Sequence, residues 1–179
     1  MKPKIKDKRW SKELEEPIRR AWRAKGIFQF NHKTRRPVFS IDTPPPYVDA
    51  PVHIGQAVTY TIMDFIARFK RMQGFDVLFP LGLDRNGLPI EMAVERKFNV
   101  SIQNTAREKF IALCKKLLEQ SSLESLDSFY KLGHSYTSWK HGEEIGELYY
   151  TDSDSYRKTT QETFIDLWKM GMIYQAKKI

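Results

Sequence analysis

The stretch from Pro37 to Gln56 leaves this chain few choices. An apolar run, Pro37 to Ile41, leads into three consecutive prolines, Pro44, Pro45 and Pro46. Proline fixes φ and cannot donate to a ladder, so neither helix nor central strand continues through them. Periodicity alone leaves such a short run open between helix and strand; the flanking prolines and β-branched content select a strand over Pro37–Thr43. A short polar loop follows. Then His53-x-Gly55 opens a segment in which Ile54, Val58, Ile62, Phe65, Ile66, Phe69 and Met72 recur at helical spacing. That pattern predicts a helix over 54–73 with a core-facing stripe, closed by Gly74. Phe75–Pro80 reads as a second strand. Strand, helix and strand in this order imply a right-handed parallel unit, and so an α/β fold. Ligands in such sheets bind at the carboxyl ends of the strands. Thr43–Tyr47 and Gly82–Pro89 both lie there, so two loops distant in sequence are expected to meet over one crevice.

The residues in those loops suit an anionic ligand and an amine. A helix N-terminus carries unpaired N–H groups and a partial positive charge, which favours phosphate. His53 adds a donor there, and Gly55 lets a ligand approach the backbone. A lone His at a helix start is more often structural, but the prolines upstream and Gly55 downstream favour a nucleotide site. Asp84, between Gly82 and Gly87, can hold an ammonium through a charge-assisted hydrogen bond. The competing reading is a turn-forming aspartate, since Leu83-Asp84-Arg85-Asn86-Gly87 is a good turn sequence.

Pro45-Pro46, six residues and then His53-Ile54-Gly55-Gln56 resemble the HIGH motif of class I aminoacyl-tRNA synthetases. Gly82-Leu83-Asp84-Arg85-Asn86-Gly87-Leu88-Pro89-Ile90-Glu91 resembles the second block of their valine, isoleucine and leucine subgroup. Trp10–Phe28 resembles the lead-in helix, Phe65–Gly74 the helix after HIGH, and Tyr156–Tyr174 the last helix before the editing insertion. Ser40–Pro46 is closest to the valine branch, of archaeal type. The resemblance implies a Rossmann-like parallel sheet with flanking helices. It divides the chain into a lead-in helix and turn at 1–36 and the N-terminal half of a catalytic domain at 37–179.

The reaction implied is activation of a branched aliphatic amino acid, valine favoured, by ATP with its Mg2+, followed by transfer to tRNA. Carried over residue by residue, ATP contacts fall on His53, Ile54, Gly55 and Gln56, with His53 and Gln56 as the catalytic pair. Amino-acid contacts fall on Pro44, Pro45, Pro46, Tyr47, Asp84 and Gly87. No resident metal site is implied. Gln56 stands where the family usually has a second His; it keeps hydrogen-bonding capacity but cannot become cationic. Tyr47 stands where the valine enzymes commonly have Asn. No Lys-Met-Ser-Lys-Ser sequence is present. The resemblance therefore implies a partner, the C-terminal half of the synthetase, whose strands would complete the sheet and cover an unpaired edge and an apolar face. Other readings are an isoleucine or leucine enzyme, another HIGH-type nucleotidyltransferase, and a non-catalytic RNA-binding module.

Composition fits without deciding. A chain of 179 residues can bury a real core. Its net charge of +8 favours anionic partners such as RNA and nucleotides. A single cysteine, Cys114, excludes an internal disulfide; it falls in an apolar helical pattern and reads as a structural thiol. His134 and His141 are a poor metal pair. Glu143, Glu144 and Glu147 read as a solvated face. No apolar run suits a membrane span or secretory signal, so a cytoplasmic protein is expected.

The remaining elements follow from caps. Residues 1–9 and Lys177-Lys178 read as frayed basic ends. Ser11 can cap a helix ending near Gly26, which starts late or bends at Pro17, with Ile18 and Trp22 packed against the body. Thr105 and Glu108 form a potential capping box for a helix to about Leu132, softened at Ser121-Ser122. Gly133–Trp139 reads as irregular or a short strand. Asp152 or Asp154 can cap a helix ending at Gly171, and Met172–Ala176 reads as a further strand.

Overall fold

A computed structural model describes residues 9–177; the basic N-terminal residues before these, and Lys178, lie outside them. A 3-10 turn, Lys12–Leu14, leads into α1, Glu15–Ala24. Ser11 makes no side-chain cap, and the α-helix starts late, with Pro17 in its first turn, where a missing N–H is tolerated. Then come β1 (Val38–Ser40), α2 (Ile54–Met72), β2 (Asp76–Leu78), β3 (Gly82–Leu83), α3 (Leu88–Phe98), α4 (Arg107–Lys131), β4 (Tyr149–Tyr150) and α5 (Asp154–Lys169).

The expected parallel unit is present. β1 and β2 pair in parallel, Val38 opposite Asp76 and Ser40 opposite Leu78, with α2 as the crossover. The ladder is shorter than the apolar runs. β3 pairs in parallel with β4 in a second two-stranded sheet. α3 was not foreseen; Gly87, at φ +90, starts it and Pro89 sits in its first turn. Met172–Ala176 is not a strand, because among the described residues no neighbouring strand offers it a ladder. α4 begins after Ala106, one residue too late for Thr105 to cap it, and runs unbroken through Ser121 and Ser122. Those serines are buried. Ser153, not an aspartate, caps α5 by accepting from the Tyr156 N–H.

The main core gathers Tyr60 and Ala67 of α2, Val77, Phe79, Leu81 and Leu83 of the strand region, and Leu118 and Phe129 of α4. A smaller cluster of Val94, Phe110 and Leu117 joins α3 to α4. Cys114 packs against both, and burial pushes its thiol pKa up.

The apolar stripe of α2 faces the other way from the expectation. Ile54 is 80% exposed and Met72 85%, with Val58, Ile62, Phe65, Ile66 and Phe69 exposed between them. The buried face is Tyr60, Asp64 and Ala67. A polar clamp turns it inward. Asp64 accepts from the Ser135 N–H (2.6 Å) and Oγ (2.5 Å) and from Arg68 Nε (2.6 Å). Arg68 also donates to the Gly133 carbonyl, and Arg71 to Ser135 Oγ and carbonyl. Burial pulls the Arg71 pKa down to about 10. The basic end of α2 thus ties the helix to the irregular 133–139 segment rather than merely answering the helix dipole. Trp22 does pack inward, under Arg68 and against Phe28, whereas Ile18 is exposed.

Candidate functional site

His53 is the N-cap of α2. Its Nδ1 accepts from the N–H groups of Gly55 (3.1 Å) and Gln56 (3.3 Å), while Gln56 Oε1 accepts from the His53 N–H (3.2 Å). The two side chains therefore close a capping box, and two N–H groups expected to meet a phosphate are already bonded. Acceptance at Nδ1 puts the imidazole proton on Nε2, which leaves that atom as the outward donor. Gly55 has a steric reason beyond ligand approach: a Cβ there would sit 3.0 Å from His53 Cε1. An open cavity of about 360 Å³ lies beside His53, Ile54 and Ala57, with Ser128 and Lys131 on its far wall. Lys131 pairs with Asp127 at 2.6 Å, so this wall carries a cation of reduced net charge.

The two loops do meet. The proline turn is held from one side by the Tyr60 phenol of α2, which donates to the Pro44 carbonyl at 2.5 Å. From the other side the Asp84 N–H donates to the Pro46 carbonyl (2.8 Å), and the Val48 N–H to the Asp84 carbonyl (3.3 Å). Tyr47 and Asp84 form an isolated parallel bridge. The Pro44 and Pro46 carbonyls, of two prolines expected to contact the amino acid, are thus spent on the fold. Burial raises the Tyr60 pKa to about 12, with the Tyr149 phenol adding to it. No hydrogen bond or ion pair among the described residues joins His53 to Asp84; the turn connects them.

The Asp84 carboxylate is half-buried. Its Oδ1 accepts from the Asn86 N–H (3.2 Å) and bonds Thr151 Oγ1 (3.0 Å). Thr151 Oγ1 also accepts from the Arg85 N–H (2.9 Å) and Asn86 Nδ2 (3.0 Å). Arg85 turns away into the protein, donating to Glu119 at 2.8 Å and lying 3.1 Å from Asp152, over the Tyr150 ring. The Tyr149 ring stacks on Tyr156 and fills the space beside Gly82, where a Cβ would collide with it. Burial raises the Tyr149 pKa, and the nearby Tyr156, Asp42 and Asp84 add to that.

The structure therefore brings Pro44, Pro45, Pro46, Tyr47, Asp84 and Gly87 into one region, with His53, Ile54, Gly55 and Gln56 at the adjoining helix start. Asn86, Tyr149 and Thr151 were missed. The last two sit more than 60 positions from the Asp84 loop, so no local pattern pointed to them. His134 is buried and bonds Thr61 Oγ1 (2.9 Å), while His141 stacks on Tyr150. Among the described residues no group of three or more His, Cys, Asp or Glu side chains could hold a metal, and no helix is long and apolar enough to cross a membrane.

Comparison with known proteins agrees with these loops. A valine–tRNA ligase of Pyrobaculum aerophilum is 45% identical over 95% of this chain and 20% of its own length. One from Aeropyrum pernix is 39% identical over 99% of this chain and 21% of its own. The chain thus spans about a fifth of the length of these relatives. Among solved structures, a LeuRS of Agrobacterium radiobacter in ternary complex with tRNA and LeuAMS superposes with a TM-score of 0.70 at 28% identity, over 93% of this chain and 19% of that one. The family pattern described as tRNA synthetases class I (I, L, M and V) matches residues 17–179, which takes in both loops, and the chain belongs to that family.

Proposed function

We propose that this chain forms the part of a valine–tRNA ligase catalytic domain that receives the amino acid and ATP. The observation that carries the reading is Asp84. Its Oδ1 is taken by neighbours, while Oδ2 has no partner among the described residues, at the place where the proline turn and the 82–87 loop join. An ammonium group fits that free oxygen. Activation then needs no general base, because the amino-acid carboxylate is already ionised. A carboxylate oxygen attacks the α-phosphorus, the bond to the bridging oxygen breaks, and pyrophosphate leaves. The resulting aminoacyl-adenylate passes its acyl group to the terminal ribose of tRNA with release of AMP. The protein supplies positioning and phosphate stabilisation. Here Asp84 orients the amine and His53 Nε2 donates toward the phosphates. Magnesium would arrive with ATP as its counter-ion.

Valine is favoured by the names of the relatives and by the Ser40–Pro46 stretch. One methylene is worth only about 1–3 kcal/mol of discrimination, so isoleucine is the closest competitor. The exposed α2 stripe and the open edge of β1 are surfaces that the remainder of such a ligase would cover.

Calorimetry with valine, isoleucine, leucine and ATP tests the reading. Asp84→Asn keeps the shape and removes the charge. It should weaken valine binding by about 10- to 150-fold, the value of a hydrogen bond to a charged group, while ATP affinity holds. Equal loss for both ligands would mean turn collapse, and the ammonium role would fall.

A further inference from the structure

We infer that Thr151 is the positioning residue of the amino-acid site, which sets the Asp84 carboxylate so that one oxygen faces the substrate; this rests on the reading of Asp84 as the ammonium ligand. The argument is one of counting. A threonine hydroxyl has one proton and two lone pairs. Thr151 Oγ1 lies 2.9 Å from the Arg85 N–H and 3.0 Å from Asn86 Nδ2, and both can only donate. The lone pairs are therefore occupied. The proton has one remaining partner, Asp84 Oδ1 at 3.0 Å, which as a carboxylate can only accept. With Asn86 Nδ2 facing Thr151, the direction of every bond in the set follows.

The same count fixes the carboxylate. Oδ1 receives Thr151 Oγ1–H and the Asn86 N–H, so rotation of the carboxylate would break two bonds at once. Oδ2 stays clear. Thr151 itself cannot drift. It is 6% exposed, directly follows β4, and its N–H donates to the Leu83 carbonyl at 3.2 Å, extending the β3–β4 ladder by one step. Asn86 closes the ring, since its backbone bonds Asp84 and its side chain bonds Thr151. The residue after β4, far along the chain, thus aims its side chain at the residue after β3, at the same end of the parallel pair.

The test is a double-mutant cycle on this chain, with Thr151→Val, Thr151→Ser, Asp84→Asn and the Asp84→Asn/Thr151→Val pair. Valine affinity is read by calorimetry with ATP present. Thr151→Val should weaken valine about tenfold and leave ATP affinity unchanged, Thr151→Ser should restore it, and Thr151→Val should cost nothing further once Asp84 is Asn. A loss that adds in full to that of Asp84→Asn would overturn the inference. A second readout needs no ligand. The Asn86 backbone N–H is bonded to Asp84 Oδ1 and not to Thr151, so its hydrogen exchange reports whether the carboxylate has been released. Faster exchange in Thr151→Val, reversed in Thr151→Ser, supports the inference; unchanged exchange overturns it, whatever Asp84 binds. If exchange responds as expected but the wild-type chain binds no valine, the positioning stands and the amino-acid reading fails instead.

Discussion

His53 and Asp84 sit on either side of the proline turn and are held in opposite ways. Every hydrogen bond of the His53 cap closes within three residues. It forms whenever α2 forms. Asp84 depends on Thr151, 67 positions away, and on a short parallel pairing of β3 with β4. It acquires its geometry only in the assembled domain. The difference separates two kinds of site residue. One is built by the local chain and merely carried by the fold, and the other is created by the fold. The inner face of α2 belongs with the second kind, since Asp64 is clamped by Ser135, 71 positions on.

If that contrast holds, breaking a long-range clamp should damage the whole domain, and breaking the local cap should not. The largest effect is expected for Asp64→Ala. It strips the partly buried Arg68 of its carboxylate partner, removes the opposite charge near the partly buried Arg71 and leaves the Ser135 N–H unbonded, at a cost of about 3–5 kcal/mol. Thermal denaturation should show a drop of roughly 6–20 °C at about 2–4 °C per kcal/mol. A shift under 2 °C, by the same scale, would put the clamp and the cap on equal terms and break the contrast.

His53→Ala comes next. Loss of the cap should cost about 0.5–2 kcal/mol with the fold intact, read from urea midpoints. ATP affinity should fall about tenfold through the lost Nε2 donor, and an unchanged affinity would remove His53 from the phosphate site.

A smaller effect is expected from pH. Burial holds the His134 pKa below its ordinary value, Arg68 adding to this and Asp64 opposing it. The unfolded chain therefore binds a proton that the folded chain refuses. This contribution to stability is complete above about pH 6.5 and is lost as pH falls toward the depressed folded value. Urea midpoints from pH 7.5 to pH 5 should fall less in His134→Gln than in the wild type; parallel slopes would assign the acid sensitivity elsewhere.

The smallest change is expected for Gly55→Ala. The added methyl must push the flexible His53 ring by a few tenths of an ångström, while a helical Gly→Ala gains up to about 1 kcal/mol. Stability should stay within about 0.5 kcal/mol of the wild type as the two effects offset. A loss of more than about 1 kcal/mol would show that the cap geometry is more rigid than a local device should be.

Sequence alone determined the strand, proline turn and helix from Val38 to Met72, because prolines, β-branched residues and helical spacing act over a few residues. It also marked His53 and Asp84 and the likeness that led to the family, since motif residues are contiguous. The meeting of the proline turn with the 82–87 loop followed from parallel pairing, which puts the carboxyl ends of the strands on one side, although not the bonds that make it. Tertiary structure decided the rest. Helical spacing reports that α2 has an apolar face but not which face a neighbour will cover. Buried Asp64, with its partners on the 133–135 segment, turned that stripe outward. Met172–Ala176 has strand-like residues but no strand beside it among the described residues, and a ladder needs two chains. Thr151 looks like a helix-flanking polar residue until β4 pairs with β3 and brings its hydroxyl against Asp84. A hydrogen bond between positions 84 and 151 leaves no periodicity to read, because only the folded path makes them neighbours.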